Sequence, residues 1–398
     1  MINLPLPQHR TFAEFFAGIG LMRLGLERQG WKIAFANDLC QDKYEMYAAH
    51  FEDADDHFVV EDIHKLNADE VPTVTLATVS FPCNDLSLAG ARAGLRGKQS
   101  SAFYGFTRVL RDMQKRRPRL ILLENVTGFL TSRSGKDFRS AMLGLDQLGY
   151  AVDPFIIDAL HFVPQSRSRL FVVGELVNND AAFIDDTRAS SVNEKAKNAG
   201  FFESEIRPRA LAEFIFANPD INWKLRDLPS LPQSQRRLTS ILENLPHDAP
   251  EWWSEKRTAY LLNQMSQRHR IIADRMINSA GWSFGTVFRR VREGGSMAEL
   301  RVDGIAGCLR TPRGGSGRQI LVKAGFGEFH ARLLTPRECA RLMGAGDFKI
   351  SASLNQALFG FGDAVCVPVI EWIAKHYLNR VLGEPKARSE PGQNLAYA

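Results

Sequence analysis

The chain has 398 residues, 44% of them hydrophobic and 24% charged, which is material for one large domain plus a smaller one and lacks the polarity of a disordered chain. A formal net charge of +5 permits a polyanionic partner without requiring one. Five cysteines (Cys40, Cys83, Cys308, Cys339, Cys366) are odd in number and scattered without a CxxC pair, so neither a disulfide framework nor a metal centre is indicated and a reducing, cytoplasmic setting is expected. The start, Met1-Ile2-Asn3-Leu4-Pro5, lacks a charged segment ahead of a long apolar core, so no export signal is expected, nor any stretch approaching the roughly 18 apolar residues of a membrane span.

In chain order, Thr11 to Phe16 reads as a first strand, followed by the small-residue turn Ala17-Gly18-Ile19-Gly20 and a helix through Arg28. Phe35 to Asp38 reads as a second strand end, Phe58 to Val60 as a third strand, Leu76 to Val79 as a fourth and Leu120 to Leu123 as a fifth, with helical stretches such as Phe103 to Lys115 between them. This alternation is the rhythm of a parallel α/β sheet. Ala151 to Ile157 and Arg169 to Gly174 read as two further strands that close the domain. From about residue 176 the rhythm breaks; a polar stretch over 185–197 reads as a linker, and 176–335 as a second, smaller and irregular domain. Thr335-Pro336-Arg337-Glu338 reads as a helix start, with Thr as cap and Pro in the first position, and opens a return segment, 336–382, that completes the first domain of 1–175. A final helix is expected over Pro368 to Val381, and 383–398 reads as a disordered tail.

The chemistry-bearing residues collect at strand ends. Cys83, in Phe81-Pro82-Cys83-Asn84, follows the fourth strand, and Glu124, in Glu124-Asn125-Val126, follows the fifth. In open α/β sheets ligands gather outside the carboxyl ends of strands, so a thiol and an acid there suggest covalent chemistry. Taken in order, Phe15-Phe16-Ala17-Gly18-Ile19-Gly20, Phe81-Pro82-Cys83, Glu124-Asn125-Val126, Gln165-Ser166-Arg167-Ser168-Arg169, Leu334 to Gly344 and Gly362-Asp363-Ala364-Val365 resemble the motif series of the C5-cytosine DNA methyltransferases. The resemblance runs from residue 12 to residue 376, with one variable block in the matching gap.

That resemblance implies a Rossmann-like S-adenosylmethionine-dependent methyltransferase sheet with a target-recognition domain, and methyl transfer to carbon 5 of cytosine. Carbon 5 is a poor nucleophile, so Cys83 as thiolate would add to carbon 6. Glu124 would give a proton to the ring nitrogen at position 3, as a dry pocket permits, and Asn125 would hold the loop. Arg169, with Arg167 beside it, would face the carbonyl oxygen at position 2; water is expected to take the carbon 5 proton. The two arginines alternate onto one side of their strand, and the plain alternative is a surface charge pair.

For the cofactor, Gly18 and Gly20 allow close backbone approach, but their spacing departs from GxGxxG and disfavours a dinucleotide enzyme. Asp38 would take the ribose hydroxyls, Asp62 the adenine amino group, and Phe16 the adenine ring; the alternatives are a core phenylalanine and two helix caps. By resemblance Ala17, Leu39, Ile63, Pro82, Asp363 and Val365 complete that site.

A cytosine inside a duplex is shielded by stacking, so the target base would be flipped out. The loop 86–98, with Ser87, Arg92, Arg96 and Lys98, has the makeup of a lid over a phosphate backbone, and Arg310, Arg313, Gly314, Gly315, Arg318 and Gln319 form a glycine-arginine loop suited to reading duplex DNA. The expected partners are duplex DNA and a cognate restriction endonuclease, for a monomer away from membranes. Five positions depart from the family pattern: Asn84 for Gln, Asp363 for Asn, Ala345-Gly346 for Phe-Pro, and Cys308 for the Thr of a Thr-Leu pair. A tRNA cytosine methyltransferase, a Rossmann oxidoreductase and an inactive DNA-binding relative are the competing readings.

Overall fold

The computed structural model describes residues 10–82, 102–177, 199–292, 295–311 and 318–382. Its larger sheet has seven strands: β1 (Thr11–Phe15), β2 (Lys32–Asp38), β3 (Phe58–Val60), β4 (Leu76–Val79), β5 (Leu120–Val126), β6 (Tyr150–Asp158) and β7 (Ser168–Leu176), in spatial order β3-β2-β1-β4-β5-β7-β6. The central strands read as near-continuous apolar runs because they are covered on both faces; Leu120, Ile121, Leu122 and Leu123 are all fully buried. β1 to β5 pair in parallel through crossovers that include α1 (Leu21–Glu27), α2 (Gln41–His50) and α3 (Ala102–Asp112). The chain builds outward from β1 to β3 and then restarts at β4 on the other side of β1, so the crevice beyond β1 and β4 is the switch point where such sheets bind ligands.

One feature differs from a simple parallel sheet. β7 inserts between β5 and β6 and runs antiparallel to both. Its first residues, rather than its last, therefore lie at the edge where the parallel strands end, and this carries Arg169 to the same edge as Glu124.

The region expected to be irregular contains a second sheet. β8 (Ser283–Arg292), β9 (Gly295–Arg301), β10 (Ile320–Gly325) and β11 (Glu328–Leu333) pair antiparallel in the order β11-β10-β8-β9. Val287, Leu300, Ile320 and Val322 pack from this sheet with Leu261, Met265 and Ala273 of the helices Glu255–Asn263 and Gln267–Ile277 and the turn between them. The linker at 185–197 and the tail at 383–398 lie outside the described residues.

The segment after β11 returns to the large sheet. Helix Pro336–Leu342 starts as its sequence signals, with a capping box between Thr335 and Glu338 and Pro336 in the first turn. Helix Val367–Ile373 then lies against α1 so closely that a Cβ at Gly25 would fall 2.7 Å from Ile370 Cβ. Trp31 Nε1 donates to Asn379 Oδ1 at 2.9 Å, fixing the end of the segment. The expected single helix to Val381 passes through a π-helical turn at Ala374–Leu378. The stretch Leu354–Val381 is long and apolar enough to cross a membrane by composition, contrary to the sequence reading, yet 67% of its most apolar window is buried inside the protein. Its apolarity serves the core: Phe361, Val367, Ile370 and Tyr377 are almost wholly buried there.

Candidate active site

The turn after β1 is shaped by backbone conformation. Phe16, Gly18 and Gly20 all have positive φ, of 59°, 57° and 82°. An aromatic residue in that region is strained, which is typical of ligand-binding turns. Gly20 is required twice over, since a Cβ there would also lie 2.5 Å from the Phe51 ring and 2.7 Å from Tyr47. At Gly18 the nearest atom to such a Cβ is Lys43 Cδ at 4.0 Å, leaving the turn open on that side.

Asp38, at the end of β2, closes this turn against its own. Its Oδ2 accepts from the Gly18 amide and its Oδ1 from the Cys40 amide, both at 2.9 Å. Each oxygen keeps a lone pair, so the carboxylate can still accept from a vicinal diol. Leu39 beside it is 70% exposed, an apolar surface open to a ligand. Asp62 caps the turn after β3, its Oδ1 accepting from the His64 amide at 2.9 Å, and Ile63 is buried under α3. Phe16 is half-buried and Ala17 buried. These groups fit an adenosyl ligand: a diol acceptor, apolar plates and a turn that tolerates close approach.

Asp363 comes to the same turn from the return segment. Its carboxylate accepts from Thr311 Oγ1 and pairs with Lys43 Nζ at 2.9 Å. Burial works against the Lys43 ammonium, but Asp363 and Asp38 outweigh it and hold its pKa above the ordinary lysine value. The departure from Asn at position 363 is thus matched by a cation on α2. Val365, two residues on, is buried.

At the neighbouring strand ends, Phe81 is buried between Phe103 and Phe129, with ring centroids 5.4 and 5.5 Å away, and Asn125 Nδ2 donates to Phe81 O at 3.2 Å. The side chain expected to hold the loop thus bonds Phe81, while the loop from Cys83 lies outside the described residues. Cys83, Ser87, Arg92, Arg96 and Lys98 lie outside the described residues, as do Arg313, Gly314 and Gly315.

Glu124 is 6% exposed and pairs with Arg169, Nε to Oε1, at 3.0 Å. The register explains the contact. Arg169 is opposite Val126, and Glu124 is opposite Phe171, so the two side chains are diagonal neighbours on one face of an antiparallel pair. β5 extends to Val126, so Glu124 stands within the strand rather than after it, and its position is correspondingly rigid.

Arg167 and Arg169 do share a side, since both reach Cys308 Sγ, at 3.3 and 3.9 Å. Their other contacts differ. Arg167 is 3% exposed and donates to Leu309 O at 2.7 Å, Gly362 O at 3.1 Å and Ala364 O at 2.6 Å, which ties β7 to two distant stretches of chain. Burial, then Arg169, pulls its guanidinium below the ordinary value. Gln165 braces the same junction, accepting from the Leu309 amide and donating to Leu342 O, both at 2.9 Å.

Two features escaped the sequence reading. Cys308 carries a thiol that burial pushes up, but Arg167, Arg169 and Arg310 outweigh burial and hold its pKa below the usual thiol value. Around Trp253, Arg257 lies 3.8 Å and Arg289 5.8 Å from the ring centroid. Burial, then the like charges of Arg289 and Arg318, lowers the pKa of Arg257. Only the arginine-rich sequence around Arg289 hinted at it. Arg310 is exposed, Arg318 donates to Asn355 Oδ1 at 2.8 Å, and Gln319 is buried against Gly307 with its amide 3.4 Å from Cys308 O.

Comparison with known proteins matches this arrangement to one family. A family model described as C-5 cytosine-specific DNA methylase matches residues 10–379. The Type II methyltransferase M.DsaV of Dactylococcopsis salina is 27% identical over 372 residues, covering 93% of this chain and 86% of that protein. M.BsuFI of Bacillus subtilis, also a Type II methyltransferase, is 36% identical over 179 residues, 44% of this chain and 42% of its own. Among solved structures, the S. pombe Dnmt2 methyltransferase aligns over 94% of this chain and 99% of its own with a TM-score of 0.59 at 18% identity, a likeness of fold. The chain belongs to the C-5 cytosine-specific DNA methylase family, and is a DNA cytosine-5 methyltransferase built on the S-adenosylmethionine-dependent α/β sheet.

Proposed function

We propose that this enzyme methylates one cytosine, flipped out of a specific duplex DNA sequence, through a covalent bond between Cys83 and carbon 6 of the ring. The observation that carries the reading is the Glu124–Arg169 pair, buried at the strand edge beside the turn that leads into Cys83. Bonding of the Cys83 sulfur to carbon 6 loads negative charge on the ring. Glu124 hands a proton to nitrogen 3, and the Arg169 guanidinium faces the oxygen at position 2, so both ends of the developing charge are met by fixed groups. S-adenosylmethionine supplies, when bound, an electrophilic methyl group for carbon 5. Phe16, Ala17, Gly18, Gly20, Asp38, Leu39, Asp62, Ile63, Pro82, Asp363 and Val365 hold that cofactor against the strand ends. Water takes the proton from carbon 5, and the carbon–sulfur bond breaks as nitrogen 3 returns its proton to Glu124, restoring the aromatic ring, the acid and the thiolate.

Arg167 acts in this scheme as the strut that keeps Arg169 and residues 308–310 in register. The duplex lies along the Arg310 to Gln319 loop and the Arg257, Arg289 and Arg318 patch, and Ser87, Arg92, Arg96 and Lys98 contact its phosphate backbone. The Type II names of the relatives support a cognate endonuclease as functional partner. The test is methyl transfer from labelled S-adenosylmethionine to duplex DNA and to tRNA in parallel, with methylated positions mapped by bisulfite sequencing. Methylation of one cytosine in a fixed duplex sequence is expected; label in tRNA alone would overturn the reading.

A further inference from the structure

Three potential metal ligands meet in the four-stranded sheet, far in sequence from the reacting groups. Glu328 and His330 are two residues apart on β11 and so project from the same face. His247 reaches them from the loop that covers this edge strand; the loop is held there by the Trp253 amide donating to Ala331 O at 2.9 Å and by Trp252 Nε1 donating to Pro246 O at 3.0 Å. The donor atoms converge on one point. His247 Nε2 lies 3.2 Å from His330 Nε2 and 3.3 Å from Glu328 Oε2, and His330 Nε2 lies 2.8 Å from the same oxygen.

Hydrogen bonding alone accounts for this triangle poorly. Two neutral imidazole nitrogens that face each other need a proton between them, and the carboxylate oxygen asks for a proton from each. A cation satisfies all three lone pairs at once. Ligands about 2.0–2.2 Å from a tetrahedral zinc ion stand roughly 3.3 Å from one another, close to the spacings here. Two imidazoles and one carboxylate form a ligand set for a borderline divalent ion, whereas a hard cation such as calcium takes six or more oxygens. His330 is also fixed in place, with the Trp252 and Trp282 rings 5.9 and 5.8 Å from it, so the site is preorganised on the strand side.

We propose that His247, Glu328 and His330 bind one zinc-type divalent transition-metal ion, with a fourth position open to water, and that the ion staples the 246–253 loop to edge strand β11. The site is independent of the methyl-transfer chemistry. The full chain, stripped with chelator, is titrated with Zn²⁺ and separately with Co²⁺ as a spectroscopic probe. One equivalent is expected to bind, the bound cobalt showing low-symmetry d–d bands without the sulfur charge-transfer band that a cysteine site would give. Glu328→Gln and His247→Ala, both at exposed positions, are expected to weaken binding at least 10-fold while leaving methyl transfer unchanged, and to abolish the rise in Tm that Zn²⁺ gives the wild type. Unchanged affinity in both variants, thiolate coordination of the cobalt, or no stoichiometric binding by the wild type would overturn the proposal.

Discussion

At the scale of single residues, Arg167 just before β7 and Arg169 within it have different work. Arg169 pairs with Glu124 at the strand edge, while Arg167 spends its donors on the carbonyls of Leu309, Gly362 and Ala364. Arg169→Ala is therefore expected to lower kcat by about 10²–10³-fold with the folded state retained, the cost of one preorganised donor to a developing oxyanion. Arg167→Ala should instead appear first as a lower urea midpoint, because three carbonyls, two of them in buried contacts, lose their partner. Equal kcat losses with equal stability in both variants would contradict this division. Glu14, inside β1, is governed by burial instead. Its Oε2 has no hydrogen-bond partner among the described residues, and desolvation, only partly offset by Arg23, raises its pKa from 4.5 to about 8. The folded state then holds a proton that the unfolded state releases between pH 4.5 and about 8, so stability falls as pH rises through that window. Glu14→Gln should remove the slope, gaining at most roughly 4 kcal/mol over the wild type at pH 8 and little at pH 4.5. Urea unfolding at both pH values checks it.

At the scale of elements, conformation and buried charge decide what each can tolerate. Gly20→Ala is expected to cost at least about 1–2 kcal/mol from φ alone, and more from the clash with Phe51 and Tyr47, together with weaker cofactor binding. The start of helix Pro336–Leu342 rests on Glu338, whose carboxylate is fully buried, bonds Arg332 at 2.6 and 2.7 Å, and accepts from the Thr335 and Glu243 amides. Glu338→Ala strands the Arg332 guanidinium, and a loss of about 3–5 kcal/mol by denaturant unfolding is expected; a loss under about 1 kcal/mol would refute a structural role for the pair.

The elements that the sequence discloses are those whose cause is local. The cap at Thr335, the turn at Gly18 and the apolar run of β5 each carry their signal within a few residues. The direction of β7 does not, because Arg169 to Gly174 alternates equally well in either sense and only its pairing with β5 and β6 decides. The four-stranded sheet was hidden for a similar reason: β8 mixes Gly285 with Arg289 and Arg290, so its burial is set by partners rather than by composition. The His247–His330 contact joins positions that no spacing rule connects.

At the scale of the whole molecule, the chain closes on itself. The return segment from Pro336 supplies core, through Phe361, Ile370 and Tyr377, and also brings Asp363 to Lys43 beside the turn after β1, so the proposed cofactor site would depend on the same helices as the fold. Removing residues 354–398 should leave the α1 face uncovered and abolish cooperative unfolding, seen as loss of a sharp thermal transition. The junction at Arg167 likewise couples the second sheet's chain region to the strand edge, through Leu309 O and Cys308 Sγ. The proposed DNA contact near Arg310 and the proposed chemistry at Glu124 and Arg169 would thus share one scaffold. The central claim is a carbon–sulfur bond to a cytosine ring, and duplex DNA carrying 5-fluorocytosine in the recognised sequence tests it most directly, because fluorine cannot leave carbon 5 as a proton does. In the presence of S-adenosylmethionine the account predicts a denaturation-resistant protein–DNA adduct that maps to Cys83 and is missing in Cys83→Ser. Folded enzyme that methylates ordinary DNA yet forms no such adduct, or forms it at another residue, would contradict it.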